Sequence, residues 1–231
     1  MDGIAVIGAG KMGGFIARQL PPAEVVIIDR DPRAADRLAS ALGFKGGDEL
    51  AAAGSAGLIV IAVPGPAVDR VAAELAPHAA AGAVIVNVAT NQTVAPAIKA
   101  AFPQLRFVEA KIIGNAVFME MGGRSIMVVD AQDQATLDKL RPIFPGFGEV
   151  VFGEVDMVPA VNELATAEAL RTGVRLRRRL ERLGAPEAWR DTVIESVCAG
   201  TLAAYARREL GPFALALVEA ITTEESSEKE G

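Results

Sequence analysis

The chain of 231 residues contains one cysteine (Cys198), one histidine (His78), one tryptophan and one tyrosine. A lone cysteine excludes an internal disulfide and fits a reducing cytoplasm, which is the expected location. Cys198 stands among Val197, Ala199 and Leu202, a setting that reads as core and not as a nucleophile. Metal binding lacks material too. No pair of His or Cys stands at ligand spacing, and Asp130, Asp133 and Asp138 read as helix-start and surface acids. Positive charge is scarce: 23 Lys and Arg face 29 Asp and Glu, for a net charge of −6. That balance argues against a nucleic-acid partner, which usually wants a basic face. Long apolar runs are also missing. The longest, residues 58–63, is far too short to span a bilayer, so no membrane partner is expected. A strand pattern starts at Ile4, and no signal peptide is expected ahead of it.

What is present is concentrated at the start. Residues 3–13 read Gly-Ile-Ala-Val-Ile-Gly-Ala-Gly-Lys-Met-Gly. A short apolar run therefore ends in Gly-x-Gly-x-x-Gly, and an amphipathic stretch carrying Met12, Phe15, Ile16 and Leu20 follows. In a dinucleotide-binding turn Gly8 would allow the tight bend, Gly10 would let a pyrophosphate reach the backbone, and Gly13 would let helix and strand pack closely. The free N–H groups and dipole of the helix start would hold the phosphates. A second apolar run, 25–28, leads into Asp29, about 20 residues past the glycines, where an acid meets the adenosine ribose. The residues just past Asp29 include Arg30 and Arg33, which would favour a 2′-phosphate. Asp29 tips the expectation toward NAD over NADP.

Strand and helix signals then alternate. Strands are predicted at 4–7, 25–28, 58–63, 83–88, 106–110, 125–129 and 149–152. They are apolar on both faces, as in a parallel sheet covered on both sides. Helices are predicted at 33–42, 67–75, 93–101 and 133–143, the first capped by Asp31-Pro32. The fold class predicted is α/β, a doubly wound Rossmann domain over residues 1–153. Past that point strand signals stop. Three helices, at 155–183, 186–209 and 213–221, make a smaller all-α domain over 154–221. Residues 222–231 contain no apolar side chain and are predicted to be disordered. The first of the three helices carries Arg171, Arg175, Arg177, Arg178, Arg179 and Arg182, which read as a solvated face with Glu168 and Glu181 as partners.

This arrangement resembles the pyrroline-5-carboxylate reductase-like oxidoreductases, within the wider group that includes 6-phosphogluconate dehydrogenases and deazaflavin-dependent NADP reductases. The resemblance covers most of the chain. It rests on Gly10-Lys11-Met12-Gly13, Val63-Pro64, the segment from Lys111 to Asn115, the segment from Ala169 to Gly173, Leu183-Gly184-Ala185-Pro186 and the segment from Ala199 to Leu202. It implies that Lys11 and Met12 belong to the cofactor loop and that Val63-Pro64 lies under the nicotinamide. It implies an active-site segment containing Asn115 and a helical dimerisation domain. One departure stands out. Where the reductases carry Ser-Gly-Ser-Gly-Pro-Ala to hold a substrate carboxylate, residues 162–167 read Asn-Glu-Leu-Ala-Thr-Ala. An inward Glu163 would repel a carboxylate.

For the chemistry, His78 falls at the end of a helix on the wrong edge of the sheet, which argues against a His–Asp hydroxy-acid mechanism. The polar candidates are Lys111 and Asn115, just past the 106–110 strand at the carboxyl edge. Asn162 and Thr166 share a helix face at i, i+4, and Thr201 is a weaker candidate. The function expected is an NAD(P)-dependent oxidoreductase acting on a small polar carbonyl or imine. The alternative is a dinucleotide-binding sensor or partner subunit without hydride transfer. The apolar content of the helical domain points to a homodimer.

Overall fold

A computed structural model describes residues 3–21, 24–131 and 133–227. The chain divides into two compact units, 1–163 and 164–231. The first is built on an eight-stranded sheet: β1 (Gly3–Ile7), β2 (Val25–Ile28), β3 (Lys45–Gly47), β4 (Ala56–Ile61), β5 (Val84–Asn87), β6 (Arg106–Ile113), β7 (Ile126–Val129) and β8 (Glu149–Phe152). Their spatial order is β3-β2-β1-β4-β5-β6-β7-β8. Pairing is parallel from β3 across to β6. β7 then runs antiparallel to β6, and β8 runs parallel to β7. The helices of this unit are α1 (Lys11–Gln19), α2 (Pro32–Leu42), α3 (Val68–Leu75), α4 (Pro96–Ala101), α5 (Ala116–Glu120) and α6 (Gln134–Leu140).

Both faces of the sheet are covered, which explains the unbroken apolar strands. Ile4, Val6, Leu58, Val60, Val84 and Val86 join Phe15 and Ile16 of α1 and Ala35 and Ala39 of α2 in one core. Their chain neighbours Ala5, Ile7, Ile59, Ile61 and Ile85 point the other way, to Val71 and Leu75 of α3. Each such aliphatic side chain contributes about 1.5–3 kcal/mol when fully buried, so both layers stabilise the frame that carries the loops. Asp31 accepts the N–H of Arg33 as the cap of α2, and Asp133 accepts the N–H of Thr136 as the cap of α6.

The structure differs from the sequence reading in particular places. β3 was not predicted, because Lys45, Gly46 and Gly47 carry no apolar pattern; it is an edge strand held by backbone pairing to β2. β6 runs on to Ile113, so Lys111 lies within the strand. α5 was not predicted either. Asp130 is half-buried and accepts the N–H of Glu109 at 2.8 Å, so it is not a surface acid. The division between the units falls ten residues later than the predicted 153/154, at 163/164. Val155 and Val158 pack with Val128, Ile113 and Ile126, which keeps the start of the next helix with the sheet.

That helix, α7 (Met157–Arg182), is followed by α8 (Glu187–Thr192), a π-helical stretch at Val193–Cys198, α9 (Ala199–Arg207) and α10 (Pro212–Ser227). The predicted 186–209 helix is thus interrupted by a wider turn. α10 also extends through residues 222–227, which were predicted to be disordered; Ser226 bonds back to the carbonyl of Thr222 at 2.8 Å. Residues 228–231 of that predicted tail lie outside the described residues. Cys198 is half-buried instead of core. No described helix is long and apolar enough to cross a membrane.

Candidate functional site

The glycine loop joins β1 to α1 at the carboxyl edge of the parallel strands. Gly8 has φ +108°, and a Cβ there would stand 2.5 Å from the Ala62 carbonyl oxygen. A Cβ on Gly13 would stand 1.8 Å from the Gly8 oxygen. Both glycines are therefore needed for the turn itself. Gly10 is different. A Cβ on it would meet nothing within 4 Å, and its φ of −75° suits any residue. The fold leaves that space free. No side chain caps the start of α1, so its first N–H groups, at Lys11, Met12 and Gly13, have no side-chain acceptor, the arrangement in which a helix start holds an anion.

Asp29 follows β2 directly, next to this loop. Its Oδ2 accepts the N–H of Ala9 at 2.7 Å and its Oδ1 accepts the N–H of Asp31 at 2.9 Å. The carboxylate thus ties the glycine loop to the turn before α2, and each oxygen keeps a second lone pair for a ribose hydroxyl. Arg30 and Arg33 are exposed beside it. Val63 and Pro64 lie just past β4, and Gly65 is buried after them. A Cβ on Gly65 would stand 2.5 Å from Asn91 Oδ1, so the turn after β4 packs against the loop after β5. The sequence therefore brings Gly8, Gly10, Lys11, Met12, Gly13, Asp29, Val63 and Pro64 to one edge of the sheet.

The loop after β5, residues 88–94, is held from below by a buried polar cluster. Asn87 sits opposite Glu109 in the β5–β6 ladder, and Lys111 lies two residues on, facing the same side. Asn87 Nδ2 donates to Glu109 Oε2 and to the Gln92 carbonyl, both at 2.7 Å. Lys111 donates all three of its N–H bonds to protein: to the carbonyls of Ala89 and Gln92 at 2.5 Å each, and to Glu109 Oε2 at 2.9 Å. Glu109 Oε1 accepts the N–H of Val94 at 2.9 Å and lies 3.0 Å from Lys99 Nζ. Burial alone would raise the Glu109 pKa, but Lys111, the Val94 amide and Lys99 outweigh it and hold the carboxyl below its usual range. Burial pushes the Lys111 ammonium down, and Glu109 recovers only part of that shift. Burial likewise raises Asp130, against the opposing hydrogen bond from Glu109.

Lys111 was expected past the end of its strand with its ammonium free for a substrate. It lies instead 1% exposed, with no N–H to spare. Asn87, Glu109, Lys99 and Asp130 were missed. The signal was Glu109 and Lys111 at i, i+2 inside an apolar strand, which puts two opposite charges on one buried face. Asn115 caps α5 through its Oδ1, which accepts from Val117 and Phe118, leaving its amide donors. Asn162 Nδ2 donates to the Ile112 carbonyl at 2.8 Å. Asn162 and Thr166 fall on opposite sides of the division between the units; Thr166 and Glu163 are exposed. Thr201 bonds to its own helix, at the Val197 carbonyl. His78 is exposed at the end of α3.

Above the cluster a cavity of about 190 Å³ is lined by Thr90, Asn91, Gln92 and Thr93, by Lys111, and by Val155, Asp156 and Pro159. A larger hollow of about 540 Å³ runs along α7 between Leu170, Val174 and the arginines 171, 175, 178 and 182. It is an open helix face. No group of three or more His, Cys, Asp or Glu gathers as metal ligands among the described residues.

A parallel sheet in the order 3-2-1-4-5-6, with a glycine turn and an open helix start after its first strand, defines a Rossmann-type dinucleotide-binding protein. The chain belongs to the family of the NAD binding domain of 6-phosphogluconate dehydrogenase, which matches residues 3–156. Among solved structures it is similar to a pyrroline-5-carboxylate reductase from Coxiella burnetii, at TM-score 0.75 and 17% identity over 99% of this chain and 92% of that one. A semialdehyde dehydrogenase NAD-binding protein from Cupriavidus necator, in complex with calcium and NAD, gives 0.68 and 20% over 97% and 90%. An imine reductase variant from Myxococcus stipitatus, in complex with NAD+, gives 0.54 and 20% over 90% and 76%. At these identities the likeness is one of fold. No curated protein matches the chain.

Proposed function

We propose that this protein is an NAD(P)-dependent oxidoreductase that transfers a hydride to or from a small polar carbonyl or imine. The observation that carries the reading is the free space at Gly10, bounded by an uncapped helix start and the Asp29 carboxylate. Hydride transfer asks the protein mainly to hold the nicotinamide C4 against the acceptor carbon. The turn at Val63-Pro64 would lie under the nicotinamide, and the polar-walled cavity of about 190 Å³ would receive the acceptor. That volume is below the usual range for drug-sized ligands and suits a small molecule. Asn115 does not line that cavity; through its free amide donors it is proposed to reach the acceptor from outside, on the segment past β6. NAD is favoured over NADP because Asp29 accepts ribose hydroxyls and repels a 2′-phosphate. A homodimer through the helical unit is part of the same reading.

A panel of keto and imino acids with NADH and NADPH, followed by loss of nicotinamide absorbance, tests it. Turnover by the wild type, with Asn115→Ala lowering the rate and leaving cofactor affinity unchanged, supports the reading. If Asn115→Ala keeps full activity, Asn162 and Thr166 are the next positions. Because Lys111 has no N–H left for a substrate, a second reading stands beside the first: a sensor that binds dinucleotide without turning it over. Tight binding with no turnover across the panel would favour that sensor.

A further inference from the structure

We propose that Lys111 and Glu109 are positioning residues whose buried ion pair clamps the 88–94 loop and so sets where the acceptor meets the nicotinamide. The inference rests on the oxidoreductase reading above. The clamp acts on backbone, not on substrate. Lys111 holds the carbonyls of Ala89 and Gln92. Asn87 holds the Gln92 carbonyl again and accepts the N–H of Ala89. Glu109 holds the N–H of Val94. The loop is thus fixed at both ends and in the middle, and residues 90–93 line the cavity. Asn91 in turn rests against the turn at Gly65.

The pair is costly for stability alone. Two charges lie 1% and 2% exposed, and well-packed apolar residues of similar size commonly do as well or better in such places. What apolar residues could not do is grip three loop groups at once. Lys99 adds a third arm to Glu109, but at 32% exposed it can turn to water if its partner is neutralised. A displacement of about 1 Å in a reacting group can cost about 100-fold in rate, so a loop released from this grip should slow the chemistry.

The experiment uses the full chain with Lys111→Met and Glu109→Gln together, which removes both charges of the buried pair at once. Hydrogen exchange with NADH bound should show the amides of 89–94 exchanging about tenfold faster or more, while β5 and the outer part of β6 keep their protection. NADH affinity should stay within about threefold of wild type. On an acceptor that the wild type turns over, kcat should fall about tenfold or more with KM little changed, the pattern of lost transition-state geometry. Unchanged loop exchange or unchanged kcat in the folded double variant overturns the proposal and leaves the oxidoreductase reading intact. A wild type that turns over no acceptor overturns both.

Discussion

The two units handle their apolar residues in opposite ways. In residues 1–163 the apolar side chains of the inner strands β1, β4 and β5 are buried within the unit, and Val6, Ile16, Ile27, Ile59, Val60 and Ile85 are fully buried. Among the described residues of 164–231 many large apolar side chains stay in the open: Leu170 is 64% exposed, Leu183 81%, Trp189 66% and Phe213 80%. Exposed apolar surface on this scale is what the proposed dimer interface would require. A unit of this size has too little interior to hide such residues alone. The sheet unit carries the candidate cofactor site, and the helical unit carries the apolar surface that the proposed homodimer would cover.

The comparison can be broken most forcefully from the sheet side. Lys111→Met alone leaves Glu109 buried without its main partner, and denaturant unfolding should show a loss of about 3–5 kcal/mol. Arg70→Ala removes an exposed i, i+4 pair with Glu74 and should cost about 0–1 kcal/mol. Equal costs for the two would show that burial does not set the scale. On the helical side, Phe213→Asp should convert a particle of two chains, measured by light scattering, into one of a single chain, with NADH affinity unchanged. A wild type that scatters as one chain at micromolar concentration would remove the dimer. A smaller effect concerns cofactor choice: Asp29→Ser should shift the ratio of NADH to NADPH affinity about tenfold toward NADPH, or about 1.4 kcal/mol.

The smallest effect is in acid. The folded pKa of Glu109 lies below its ordinary value of 4.5, so the native state binds that proton less readily than the unfolded chain. Its contribution is then complete above pH 4.5 and lost as pH falls through the folded value. Asp130, raised by burial, acts in the opposite sense, since its ionisation disfavours the fold as pH rises. Glu109→Gln should flatten the acid limb of a stability–pH curve; an unchanged limb would place the acid sensitivity elsewhere.

How much of this was legible in the sequence depended on whether the signal was local. The glycine turn, the strands of the sheet and the caps at Asp31 and Asp133 each depend on residues within a few positions, and their patterns carried them. β3 has no side-chain pattern because its pairing is through the backbone. The antiparallel β7 was not distinguishable, since a strand buried on both faces reads the same in either direction. The polar cluster was missed for a different reason. Asn87, Glu109 and Lys111 meet across the β5–β6 ladder, and only the register places Asn87 opposite Glu109. Lys111 reads as a substrate-facing candidate only while its strand is held to end at Ala110. Once β6 runs to Ile113, the same lysine becomes part of the frame.

The central claim is that a dinucleotide occupies the space left at Gly10. A Cβ at that position meets no protein atom within 4 Å and the φ of −75° suits any residue, so Gly10→Val should fold with the wild-type melting profile. Calorimetric titration with NADH should then show wild-type binding and a loss of about 100-fold or more in the variant, equivalent to about 2.7 kcal/mol. A folded Gly10→Val protein that binds NADH as tightly as the wild type would contradict the account.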